Sequence, residues 1–344
     1  MTKRGHKFLF VSMLLTLTIA LGGCAGDKEE KGSSQVATTP ATEAGSETAA
    51  TETTDVASQI TIGIPQDMNS LDPNKAVGSG TQEILFNIYE GLYKPDSDGN
   101  LIPAVASGYT VSDDGKTYTF TLRDGIKFHN GNPVTVEDVK YSIEKCAGNG
   151  TGEPLISAFS IIESVETPDE QTVVINLSEP KDDFLAIVST VSAAIVPADV
   201  DDLETNPVGT GPYKFVSRSL QENVVLKKFD EYWGEPAHIE DVTLKVIADG
   251  DSIVMNLQGG SIDMMARITT TQAAQLGNQF DILEGTMNLV QAMYLNNAVE
   301  PFNNEKVRQA LSYAINKQEI MDFMADGKGK HIASSMFPAF GKYY

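Results

Sequence analysis

Residues 111–145 read VSDDGKTYTFTLRDGIKFHNGNPVTVEDVKYSIEK, and this stretch settles the class of fold. Asp113-Asp114-Gly115 is a turn, and after it Tyr118, Phe120 and Leu122 alternate with Thr117, Thr119 and Thr121. Period-two alternation is the mark of a strand with one buried face. Asp124-Gly125 then precedes Ile126-Lys127-Phe128, which predicts a type I′ hairpin returning through 126–128. Asn130-Gly131 marks a further turn. Thr135 with Asp138 three residues on resembles a capping box and opens a helix through Val139, Tyr141, Ser142 and Ile143. Strands and a capped helix within one short stretch place the chain in the α/β class.

Working outward, Ile60-Thr61-Ile62-Gly63-Ile64 and Thr172–Leu177 read as strands. Gln82–Tyr93 is expected to be a helix, with Ile84, Leu85, Ile88, Tyr89 and Leu92 on one face. Glu305–Met324 is expected to be one long amphipathic helix bearing Val307, Ala310, Leu311, Ala314 and Ile315. The chain from about 59 to 344 is long enough for two domains.

The N-terminus carries a different message. Lys3, Arg4 and Lys7 precede an apolar run from Phe8 to Leu21, which is too short to span a bilayer and fits the core of a secretory signal peptide (residues 1–23). Leu21-Gly22-Gly23-Cys24 resembles a bacterial lipobox, which implies cleavage before Cys24 and a diacylglycerol on its sulfur. Two acyl chains suffice for stable anchoring. Residues 24–58 are mostly Thr, Ala, Ser, Gly and Glu without an aromatic, so they are expected to form a disordered tether. Cys146, the other cysteine, then has no partner and reads as a packing residue. The formal charge is −22, from 25 basic and 47 acidic residues, which argues against a nucleic-acid partner.

Catalytic patterns do not fit. Gly115-Lys116-Thr117 ends like a P-loop, but Thr110 stands where its first glycine should be, and the stretch lies between strands. Gly209-Thr210-Gly211 runs into Pro212 and Tyr213 rather than a dinucleotide fingerprint. His6, His129, His238 and His331 are scattered, with no metal-ligand spacing. No enzyme, cofactor or metal is expected.

Several motifs recur in an order typical of one family. They are Ser70-Leu71-Asp72-Pro73, Tyr89-Glu90-Gly91-Leu92, Leu101–Ala106, the stretch 111–145, Asn206–Tyr213, Phe229-Asp230-Glu231-Tyr232-Trp233-Gly234, and Lys306–Leu311 followed by Ala314–Lys317. Together they resemble the family 5 extracellular solute-binding proteins, the dipeptide-, oligopeptide- and nickel-binding proteins of ABC importers. The resemblance implies a two-lobed periplasmic-binding-protein-like fold of class II type with an inserted small domain. It places lobe I at 59–88 and 206–286, the inserted domain at 89–205 and the start of lobe II at 287–344. Family members are substantially longer, so the chain reads as a C-terminally truncated fragment. The acidic residue that pairs with a bound peptide's amino terminus would lie beyond Tyr344.

For function the resemblance implies a monomeric lipoprotein anchored to the cell membrane on its extracytoplasmic face, in the periplasm or on the outer surface. It would capture di- or oligopeptides and deliver them to ABC permease subunits served by a separate ATPase. A nickel chelate, an oligosaccharide, or a signalling receptor that captures peptide are the alternatives. The expected ligand-facing residues are the loop Val77-Gly78-Ser79-Gly80, and Tyr294 and Asn297 of a strand entering lobe II. A plain helix-entry loop and an ordinary packed strand are the competing readings. Trp233 is expected to pack within a turn, Asp72 and Pro73 to fix one, and His129 to sit in a loop.

Overall fold

The computed structural model describes residues 58–285 and 290–332. The expected signal peptide, Cys24 and nearly all of the tether lie outside them. In chain order the strands are β1 (Gln59–Ile64), β2 (Tyr93–Pro95), β3 (Leu101–Pro103), β4 (Ala106–Val111), β5 (Thr117–Leu122) and β6 (Ile162–Glu166). They continue with β7 (Thr172–Leu177), β8 (Tyr213–Ser219), β9 (Asn223–Lys228), β10 (Asp241–Val246) and β11 (Met264–Met265). The helices are α1 (Ser79–Leu85), α2 (Val136–Cys146), α3 (Phe184–Ile187), α4 (Gly250–Gln258), α5 (Thr270–Leu276), α6 (Glu305–Ala314) and α7 (Lys317–Ala325).

Two main sheets organise the chain. The five-stranded sheet runs β11-β1-β10-β9-β8. β1 pairs in parallel with β10 and β11, and the remaining neighbours are antiparallel. Val242 lies opposite Leu226 and Leu244 opposite Val224, so one face is continuously apolar. That face gathers Leu71, Leu85, Ile88, Tyr89, Val196 and Leu203 into one core. Each large side chain so buried contributes about 1.5–3 kcal/mol.

The four-stranded sheet runs β4-β5-β7-β6, antiparallel throughout. Tyr118 faces Ile175 and Phe120 faces Val173, while the intervening threonines point to the other side. The inner face packs against Val139, Ile143 and Cys146 of α2 in a second core. The box that opens α2 is formed in full: Thr135 accepts from the Asp138 N–H, and Asp138 accepts from the Thr135 N–H.

Three local expectations are corrected. First, the chain does not turn back at Asp124-Gly125 to pair 126–128 with β5. Gly125 has positive φ but Asp124 does not, so a type I′ turn is not formed. β5 pairs instead with β4, across the Asp113–Gly115 turn, and with β7. Residues 126–128 meet 132–134 across Asn130-Gly131, through Phe128 N–H to Asn132 O and Val134 N–H to Ile126 O. Second, the helix expected over 82–93 stops at Leu85. The Asn87 side chain takes the Glu83 and Ile84 carbonyls, and the carbonyls of Asn87 and Ile88 accept from Tyr213 and Gly211. Ile88 and Tyr89 are as buried as their pattern demanded, but on a non-helical chain. Third, the expected helix 305–324 is two helices. Ile315 is extended, and the Asn316 side chain caps α7 by accepting from the Gln318 and Glu319 N–H groups.

Candidate functional site

Asn69 shapes the glycine loop. Its side-chain oxygen accepts the N–H groups of Val77 and Gly78 at 3.4 Å each, its amide donates to Lys75 O at 3.0 Å, and its N–H donates to Thr81 Oγ1 at 3.1 Å. Upstream, Asp72 accepts the Asn74 N–H and pairs with Lys75, so it does fix a turn. Gly78 is the N-cap of α1, and no side chain caps the helix. Val77, Gly78, Ser79 and Gly80 are all exposed, Val77 by 84%. The Ser79 and Gly80 N–H groups have no protein partner among the described residues, leaving two donors directed to solvent.

Tyr294 and Asn297 do not lie on a strand. Residues 290–296 carry no regular structure, and among the described residues no strand pairs with them. Tyr294 is 92% exposed and Asn297 is exposed as well. Among the described residues no hydrogen bond joins either of them to the loop at 77–80.

A third place was not singled out as a site by sequence reasoning. Glu90, 2% exposed, accepts from Lys94 Nζ and from the Tyr232 hydroxyl at 2.7 Å, from Trp233 Nε1 at 2.8 Å and from Thr210 Oγ1 at 3.4 Å. Three of the recurrent motifs, at 89–92, 206–213 and 229–234, therefore meet at one buried carboxylate. Burial and the Glu90 charge both push the Tyr232 hydroxyl far above its ordinary pKa. The signal was present in the sequence: Glu90 is the one charge in an apolar run, and a buried charge must be paired. Trp233 packs in this junction, as expected of it. A groove of about 800 Å³ opens beside it, lined in part by Arg123, Tyr232, Trp233 and His238.

His129 is more than a loop residue. Its Nε2 donates to Gly211 O at 2.9 Å and its Nδ1 accepts the Gly209 N–H at 3.3 Å, which only the neutral ring protonated at Nε2 can do. Burial pushes its pKa down to about 4, the Gly211 hydrogen bond opposing and the Lys214 charge adding to the fall. Cys146 is fully buried in the core, its thiol pushed up to about 12 by burial, in keeping with a packing role. Among the described residues no group of three His, Cys, Asp or Glu side chains is placed to hold a metal, and no helix is long and apolar enough to cross a membrane.

A family model described as bacterial extracellular solute-binding proteins, family 5 (middle), matches residues 100–344. The chain belongs to that family. Its relatives include the glutathione-binding protein GsiB of Salmonella typhi, 31% identical over 274 residues, which cover 77% of this chain and 53% of that one. Among solved structures, the ABC transporter-associated periplasmic binding protein DppA from Helicobacter pylori in complex with the peptide STSA is 25% identical at a TM-score of 0.70, over 82% of this chain and 61% of that one. NikZ from Campylobacter jejuni in complex with Ni(L-His) is 27% identical at a TM-score of 0.68, over 77% and 55%. The chain thus spans about half the length of the curated relatives it matches. The mixed α/β architecture is that of the periplasmic binding proteins.

Proposed function

We propose that this family 5 chain captures peptides outside the cytoplasm for an ABC importer, without catalysing a reaction. The observation that carries the reading is the pairing of a relative named for glutathione, itself a tripeptide, with a fold likeness to a peptide complex. The exposed Ser79 and Gly80 amides add the chemistry a peptide needs, since main-chain donors bind backbone carbonyls and carboxylates whatever the side chains are. Val77–Gly80 would contact ligand from lobe I (59–88 and 206–286), which flanks the inserted domain at 89–205. Tyr294 and Asn297 would contact it from the start of lobe II (287–344). Closure of the lobes would exclude water and favour whichever solute binds the closed state more tightly. The closed form would dock on permease subunits driven by a separate ATPase, and Cys24, acylated after removal of residues 1–23, would hold a monomer at the membrane by its tether.

A nickel chelate is the second reading, on the likeness to NikZ. Thermal melting of the full chain with glutathione, a di- to pentapeptide library, nickel–histidine and cello-oligosaccharides separates these. A ligand at a hundred times its Kd stabilises by about 2.7 kcal/mol. Stabilisation by several peptides, insensitive to their side chains, is expected. A shift with nickel–histidine or a sugar alone overturns the peptide assignment, and silence with every solute overturns capture by this chain.

A further inference from the structure

We propose that the groove beside Trp233 is a second ligand site, separate from the residues above, which takes a planar organic carboxylate. The argument starts from Arg123. Its guanidinium carbon lies 3.9 Å from the centre of the Trp233 ring, and its Nε donates to Ala104 O at 2.9 Å. Stacking and that one bond fix the plane of the fork. Among the described residues no carboxylate forms an ion pair with Arg123, and its two Nη groups have no protein acceptor. A half-buried, oriented and unpaired guanidinium edge on the wall of a groove matches the geometry of a carboxylate.

The neighbours reinforce the choice of ligand. Lys94 Nζ lies 5.0 Å from the same indole ring, but Glu90 already neutralises it. The uncompensated charge at the indole is therefore that of Arg123, in a chain that is otherwise strongly acidic. Glu235, at the edge of the groove, is exposed, where its repulsion is weakened by solvent and salt. Pro103, Pro236 and the Tyr232 ring supply flat apolar walls, which favour a planar body behind the carboxylate. The proposal does not rest on the importer reading: peptide capture at 77–80 can fail while this site holds, and the reverse.

Trp233 is the only tryptophan in the chain, so its emission reports this groove alone. Benzoate is titrated into the full chain, with benzamide (ring without charge) and acetate (charge without ring) as comparators at matched ionic strength. A saturable change in emission with benzoate is expected, with half-saturation about tenfold weaker for either comparator. Arg123→Gln should lose the saturable response. Because that change could disturb the stacking, Ala237→Phe provides a second variant, which narrows the groove and leaves Arg123 in place; it too should weaken benzoate. A linear response equal for benzoate and benzamide overturns the proposal. So does full retention of the benzoate response by a folded Arg123→Gln or by Ala237→Phe.

Discussion

Gly78-Ser79-Gly80 and Gly209-Thr210-Gly211 share a spacing and use it in opposite ways. A Cβ built on Gly209 would overlap the carbonyl oxygen of Ile88, and one on Gly211 would lie 2.5 Å from the carbonyl oxygen of Asn87. There the backbone is pressed against residues 87–89, and Thr210 beside it is fully buried, its hydroxyl donating to Glu90. A Cβ on Gly80 meets nothing within 4 Å, and one on Gly78 makes ordinary contact with Thr81 Oγ1 at 3.6 Å. Packing requires glycine in the second segment and leaves it unexplained in the first. A glycine that the fold does not need is the better candidate for one that a ligand needs.

The sharpest way to break this contrast is to fill the second segment. Gly209→Ala forces the 209–211 backbone off the carbonyls of 87–89, with loss of the Gly211-to-Ile88 hydrogen bond and strain on the Glu90 junction. Overpacking against backbone that cannot yield should cost about 3 kcal/mol or more. Urea unfolding followed by circular dichroism measures it. A loss below about 0.5 kcal/mol would mean that the segment can retreat, and that the close approach is incidental.

His129 offers a gentler probe of the same segment, through pH. The unfolded chain takes a proton on this ring near 6.5, whereas the native ring resists until about 4. The native state is therefore at full stability above pH 6.5. It loses stability as the pH falls from 6.5 towards 4, and the loss amounts to about 3 kcal/mol. His129→Gln removes the titration while keeping a donor for Gly211 O, so its unfolding midpoint should vary less than that of the parent between pH 6.5 and 4. Parallel curves for the two proteins would show that burial does not hold the ring neutral in the native state.

Much of the fold was legible because its signals are local. Thr117–Leu122 alternates, and the strand lies there; Thr135 and Asp138 stand three apart, and the box closes. Apart from the break at Ile315–Asn316, which is local, what failed depended on partners distant in sequence. Asp124-Gly125 is a genuine turn, yet β5 takes β4 and β7 as neighbours, and no local rule weighs a strand some fifty residues away. The apolar face over Ile84–Leu92 has helical spacing, but the carbonyls of Asn87 and Ile88 are claimed by 211–213. The motif around Tyr294 is strand-like, but a strand forms only beside another. Glu90 stands out as a charge in an apolar run, but its partners are distant, and no spacing along the chain announces that three motifs converge on it.

The smallest effect belongs to the first glycine segment, and it sharpens the comparison most. Gly80 lies within α1 at a negative φ, in open space. Gly80→Ala should leave stability unchanged or raise it by up to about 1 kcal/mol, since alanine costs less backbone entropy in a helix. Its effect on the peptide-induced rise in melting temperature is then a clean reading of the loop. If the alanine methyl keeps a ligand backbone from the Ser79 and Gly80 amides, the rise shrinks while the unliganded protein melts as before. If neither changes, Val77–Gly80 is a helix entrance and nothing more. Ligand contact would then fall to surfaces elsewhere, and the two glycine pairs would differ only in how tightly they are packed.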